Sequence, residues 1–242
     1  MKDNIVTEYM EKFYGYGNLA SPYWFIGKEE GGGKTIGENI KRMEIWADSG
    51  KTTTVDIIDY HRKLGFTDKS LHHLQPTWVK VAQVLQILDH GAVEYGAMRG
   101  YLFSRFGRSH GDHALLELMP LASRSTSYWK YAKLTDIPEL ADRKIYMRTV
   151  APRRIARLQK FIGTYHPKLV LFYSSSPDYI DYWSQIVGDK QWTWVSLIPK
   201  HKTGYIKKNG TLFFITPHPT GFGINKISFE TVGHAIKRLL ST

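Results

Sequence analysis

Two adjacent carboxylates, Glu29 and Glu30, close a short apolar run, Tyr23-Trp24-Phe25-Ile26, and lead into Gly31-Gly32-Gly33. Pro22 and Gly27 bound the run, so it reads as a buried strand opening into a turn. Open α/β sheets bind ligands outside the carboxyl ends of their strands, so chemistry is often placed at such strand ends. An ordinary strand-to-helix turn with solvated glutamates is the alternative. A third carboxylate, Glu117, interrupts the apolar segment Ala114-Leu115-Leu116-Glu117-Leu118-Met119. Burying an ionised Glu is costly unless it is paired or opens onto a pocket, so Glu117 either faces a ligand or bridges to a residue such as Arg124.

Other chemistries are weaker. Lys34-Thr35 invites comparison with a phosphate-binding loop, Gly-x-x-x-x-Gly-Lys-[Ser/Thr], but its first glycine would fall on Lys28; Gly27 is one position early. His72-His73 and His110-Gly111-Asp112-His113 have no recognised metal spacing and read as loop histidines, so no metal is expected. The absence of cysteine excludes disulfides, thiolate metal sites and cysteine-ligated iron-sulfur clusters. The loop from Ser123 to Lys130 mixes hydroxyl, basic and aromatic side chains that could contact phosphates or simply line the surface. Ser174-Ser175-Ser176-Pro177 suits a helix N-terminus able to hold an anion.

The elements that must position these residues follow from periodicity. Residues 3–14 make a short helix with Ile5, Val6, Tyr9 and Phe13 on one face, stopped by Gly15 and Gly17. Residues 36–65 are mixed and partly helical. Trp78, Val81, Ala82, Leu85 and Leu88 recur at helical spacing behind Pro76. Residues 151–162 read as a helix with Pro152 in its first turn and Arg153, Arg154, Arg157 and Lys160 on its other faces, either solvated or DNA-binding. Leu169–Tyr173 is a strand, and Trp194–Ile198 is a strand or a segment packed on the preceding helix. A hairpin turn at Lys207-Lys208-Asn209-Gly210 leads into a last strand, Thr211–Ile215, and a final helix carrying Phe229, Val232, Gly233, Ile236 and Leu240. With 242 residues, no repeat and no linker, residues 1–242 form one α/β domain. A net charge of +11 with 15 Tyr and 7 Trp suits a polyanion approached by aromatic side chains. Met1-Lys2-Asp3-Asn4 lacks a signal-peptide pattern and no apolar run nears the length of a membrane span, so a cytoplasmic, monomeric protein with no membrane partner is expected.

Gly27-Lys28-Glu29-Glu30-Gly31 after the first strand and His218-Pro219-Thr220 after the last together resemble the two signature motifs of the uracil-DNA glycosylase superfamily. The first of those motifs reads Gly-Gln-Asp-Pro-Tyr or Gly-x-[Asn/Ala]-Pro-Gly, and the second His-Pro-Ser or a relative. The order agrees: Pro167–Leu171 is similar to the family's third-strand segment, and Leu116–Pro120 falls where its base-reading strand lies. The likeness runs from about residue 20 to about residue 240, with the His-Pro-Thr loop its tightest match. It implies a three-layer αβα sandwich around a mainly parallel four-stranded sheet. It also implies hydrolysis, without a cofactor, of the bond between a base and deoxyribose after the nucleotide is flipped out of double-stranded DNA. By position, Glu29 stands for the Asp or Asn that orients water or steadies the sugar cation, with Glu30 as its substitute. His218 stands for the histidine that stabilises the departing base, and Glu117 for the base-reading Asn, with Gly27 and Gly31 beside the base. Phe222, between Gly221 and Gly223, is either a wedge that holds the gap in the stack or a loop residue packed inward. Thr220, Arg124 and Ser174 complete the expected DNA contacts.

The departures carry information. The first motif lacks its proline and is rich in glycine, which leaves room for an atypical base, and the missing cysteines exclude the iron-sulfur branch. An ionised Glu117 would only accept hydrogen bonds, which suits the amino group of cytosine better than the carbonyl of uracil, with adenine next. The favoured substrate is therefore a modified cytosine, with glucosylated hydroxymethylcytosine of phage DNA as an example and bacterial defence as its setting by analogy with defence glycosylases. The alternatives are a uracil-excising repair glycosylase, a non-catalytic DNA-binding module, and an enzyme binding nucleotide phosphates through Gly31 to Thr35.

Overall fold

A computed structural model describes residues 2–32, 35–71, 75–123, 129–133 and 136–242. In chain order the elements are α1 (Lys2–Lys12), β1 (Gly15–Gly17), β2 (Tyr23–Glu29), α2 (Ile36–Asp48), β3 (Thr54–Val55), α3 (Ile57–Lys63), α4 (Asp68–Leu71), α5 (Pro76–His90), α6 (Met98–Ser104), β4 (His113–Met119), α7 (Arg143–Tyr165), β5 (Leu169–Tyr173), α8 (Pro177–Val187), β6 (Thr193–Val195), β7 (Thr203–Lys208), β8 (Thr211–Thr216) and α9 (Lys226–Leu240). The strands form one mixed sheet in the order β3-β1-β4-β2-β5-β8-β7-β6.

The middle of the sheet, β4-β2-β5-β8, is parallel throughout. These strands are near-continuous apolar runs because they are covered on both faces; Trp24, Phe25 and Ile26 are fully buried, as are Leu169 to Phe172. Alternation sends Trp24 and Phe172 toward α7 and α8, where their rings meet Tyr165 at 6.1 Å and Trp183 at 4.8 Å. Leu115 is on the opposite parity, beside Gly107 and Ile57 at the start of α3. α5 and α9 pack closely: a side chain at Gly233 would approach Ile87 Cδ1 to 2.9 Å. Lys237 then donates to the carbonyls of Ile87 and Leu88 at the end of α5.

Four strands were expected and the sheet has eight. The additional strands are β1 and β3, whose two or three residues carry no readable pattern, β7, the partner of β8 in the expected hairpin, and β6, which overlaps the expected segment 194–198 only at Trp194 and Val195. Gly15 and Gly17 do not merely stop α1; they pair antiparallel with β4, and Gly15, at φ 139°, sits where any side chain would overlap the Leu115 carbonyl. β7 and β8 close the Asn209-Gly210 hairpin, with φ 51° and 80° at the turn. β6 is the outer edge, consistent with its half-exposed Trp194.

The helix expected from residue 151 begins at Arg143 instead, N-capped by Asp142, which leaves Pro152 in its interior. Burial of Tyr146 and Val150 outweighs the one backbone hydrogen bond that a proline removes. Arg154, read as part of a basic face, is 2 % exposed. Its guanidinium donates to the carbonyls of Leu118, Glu117, Met10 and Phe13 and lies 3.4 Å from the Tyr14 ring centroid. It ties the end of α1 to β4. No helix among the described residues is long and apolar enough to cross a membrane.

Candidate active site

The parallel register aligns the carboxyl ends of the central strands: Gly27 is opposite Glu117 and Glu29 opposite Met119. Glu29 ends β2, Tyr173 ends β5, and β8 runs into the loop that carries His218. As a result Glu29, Glu30, Gly31, Glu117, Tyr173 and His218, from four strand ends, border one cavity of about 650 Å³. Its remaining wall combines an aromatic and apolar side, with His61, Phe66, Leu71, Trp78, Val81 and Phe106, and polar residues that include Lys28, Arg42 and Gln75.

The two motif carboxylates are held differently. Glu30 Oε1 accepts from the Tyr16 hydroxyl and from Arg42 Nη1, both at 2.6 Å, while its Oε2 is buried without a partner among the described residues. Glu29 Oε2 accepts from Arg143 Nη2 at 2.6 Å, and its Oε1 has no hydrogen-bond partner among the described residues. Burial raises the Glu29 carboxyl above its usual range, opposed by the Arg143 guanidinium. Glu29 therefore keeps one oxygen for a ligand while its side chain is anchored by the other. Glu30 is braced from two sides.

Glu117 bridges to Tyr173, which donates to Oε1 at 3.0 Å, and Oε2 is buried with no partner among the described residues. The side chain turns into the space left by Gly27, where any Cβ would overlap the Glu117 carboxyl and the Tyr173 hydroxyl. Burial, with the negative charges of Glu30 and Glu29 adding to it, pushes the Glu117 carboxyl up to about 8. The expectation of an ionised, acceptor-only Glu117 is thus corrected. At neutral pH the group is mostly a carboxylic acid with one donor and one acceptor, because the Tyr173 hydrogen bond and the Arg154 charge offset only part of the loss of water.

His218 is half-buried, and its Nδ1 accepts from the Thr220 backbone N–H at 3.2 Å, with the Thr220 hydroxyl at 2.9 Å. The ring proton then sits on Nε2. Burial first, then the Lys28 and Lys80 ammonium groups, holds the imidazole down at about 4, so it is a neutral donor. Thr220, expected to touch DNA, is exposed and sets this tautomer. Phe222 is 98 % exposed, which removes the inward-packed alternative. Ser174 is 3 % exposed, with its hydroxyl 3.3 Å from that of Ser176. That burial, under the turn into α8, corrects its assignment as a phosphate contact. Arg124 lies outside the described residues, as do His72, His73, Gly33 and Lys34.

Several residues that shape the site escaped the sequence reading. Arg42 and His61 lie in the mixed stretch 36–65, where no pattern separates a cavity residue from a solvated one. Arg143 lies where no helix was expected. Tyr173 had a signal: a tyrosine closing a buried strand needs a partner for its hydroxyl. Thr35 caps α2 by accepting from Glu38 N. His113 is buried between Asp112 and the Gly107 N–H, and no group of three or more His, Asp or Glu residues among those described could hold a metal. No protein-family model matches the chain, and no curated protein matches its sequence.

Proposed function

We propose that the chain hydrolyses the N-glycosidic bond of a nucleotide flipped out of DNA, acting on a cytosine-type base enlarged by a substituent. The observation that carries this reading is that Glu29, Glu117 and His218, more than eighty residues apart in sequence, border one cavity at the carboxyl ends of parallel strands. The parallel block β4-β2-β5-β8 with its flanking helices supports a three-layer sandwich of the uracil-DNA glycosylase kind.

Cleavage of the bond between C1′ and the base nitrogen leaves the electron pair on the base and positive charge on the sugar. A carboxylate near the sugar and a donor at the base stabilise both charges as they develop. Glu29 Oε1 steadies the cation and takes a proton from the water that adds to C1′. His218 Nε2–H donates to the departing base; a neutral imidazole suits this, since it need not give up a proton it holds weakly. Phe222 fills the gap in the stack, offsetting the few kcal/mol that flipping costs. The net charge of +11 draws the chain to a polyanion.

A protonated Glu117 matches the N4–H and N3 edge of cytosine, and equally the N3–H and O4 edge of uracil. The preference for an enlarged base therefore rests on space. Pockets of roughly 300–1,000 Å³ take whole drug-sized ligands, and among the described residues no atom lies within 4 Å of the position a side chain at Gly31 would fill. The test is incubation with duplexes identical except for one base, namely uracil, cytosine, hydroxymethylcytosine or glucosylated hydroxymethylcytosine, followed by alkaline cleavage at abasic sites. A modified cytosine should be released best. Glu29→Gln should keep DNA binding and lose release by about a hundredfold or more, as expected for loss of a general base. Uracil as the best substrate would refute the base class, and DNA binding with no abasic site on any duplex would favour the non-catalytic module.

A further inference from the structure

A second histidine borders the cavity with the opposite hydrogen-bonding character. His61 on α3 is 6 % exposed. Its Nδ1 lies 2.6 Å from the Ile57 carbonyl oxygen one turn back in the helix. A carbonyl only accepts, so the ring proton resides on Nδ1 and Nε2 presents a lone pair. Nε2 has no partner among the described residues. The ring is bordered by Tyr16, Tyr60, Phe66 and Trp78, with centroids 5.4–5.9 Å away, and the Ile57 carbonyl favours the orientation that keeps the N–H on its side. Burial lowers the pKa of the imidazole, in keeping with a neutral ring. The cavity thus contains one imidazole donor, His218, and one imidazole acceptor, His61.

An acceptor with no protein partner on a cavity wall is matched when a ligand supplies a donor. Glu117 and Tyr173 already face the bonding edge of a base from the sheet. His61 approaches from α3, in the wall that also carries Phe66 and Trp78, whose faces suit a short apolar stem. We infer that His61 is a specificity-determining residue that accepts a hydrogen bond from a hydroxyl carried on a substituent of the base. The inference rests on reading the cavity as a base pocket.

The direct test compares substituents of similar size that differ in having a donor. Binding of 5-hydroxymethyl-, 5-formyl- and 5-methyl-2′-deoxycytidine to the full chain is measured by calorimetry, and release of the same bases from DNA is measured alongside. Wild type should favour the hydroxymethyl nucleoside over both others by about tenfold or more, the discrimination one buried hydrogen bond supplies. His61→Phe keeps a ring among its aromatic neighbours and removes Nε2, so it should bring the three to near equality. Equal binding by wild type, no binding of any nucleoside, or a His61→Phe protein with its preference intact would overturn the proposal. The wild-type comparison decides even if that variant fails to fold. Selective nucleoside binding with no base release from any DNA would remove the glycosylase reading and leave the His61 assignment standing.

Discussion

Replacing Glu117 by Gln tests whether the cavity holds a neutral acid. In the folded chain this carboxyl titrates at about 8, against an ordinary value of 4.5. Between those values the folded state binds a proton that the unfolded state has lost, so stability falls as pH rises, by about 1.4 kcal/mol per pH unit. His218 has the opposite linkage. Its folded value is about 4 against 6.5, so the unfolded chain binds the extra proton in that range and stability rises with pH. The two slopes offset one another from 4.5 to 6.5, and from 6.5 to 8 the Glu117 term acts uncompensated by His218. Across that 1.5-unit window it amounts to about 2 kcal/mol. Gln keeps the acceptor for Tyr173 and the shape of the protonated acid, and it does not titrate. Urea unfolding at pH 6.5 and pH 8 should show the advantage of Glu117→Gln over wild type growing by about 2 kcal/mol. A difference that does not change between the two pH values would refute the neutral-acid reasoning.

Phe222→Ala should leave the urea midpoint unchanged, since the ring is 98 % exposed and packs on nothing. It should reduce base release from duplex DNA far more than from single strands, because only the duplex must be opened; equal losses on both would reject the wedge. Arg154→Ala should destabilise the fold by about 3–5 kcal/mol, because four carbonyls of α1, its C-terminal turn and β4 lose their donor in a buried setting. A change below about 1 kcal/mol in the same unfolding measurement would show that these carbonyls find other partners.

What the sequence determined by itself was local. Apolar runs marked β2, β4, β5 and β8, because strands covered on both faces must be apolar along their whole length. Asn209-Gly210 marked the hairpin, because its turn needs two positive φ angles. A glutamate inside the run 114–119 announced a pocket or a partner, because water is the cheapest environment for a carboxylate and a strand core lacks it. The tertiary structure decided what no spacing encodes. It brought Arg143 to Glu29 across 114 positions and Tyr173 to Glu117 across 56. It buried Arg154 among carbonyls, and it chose the proton positions on His61 and His218. Those outcomes depend on desolvation and on partners distant in the chain, both set only once the sheet has formed, so an identical local sequence could have left each group solvated and unshifted.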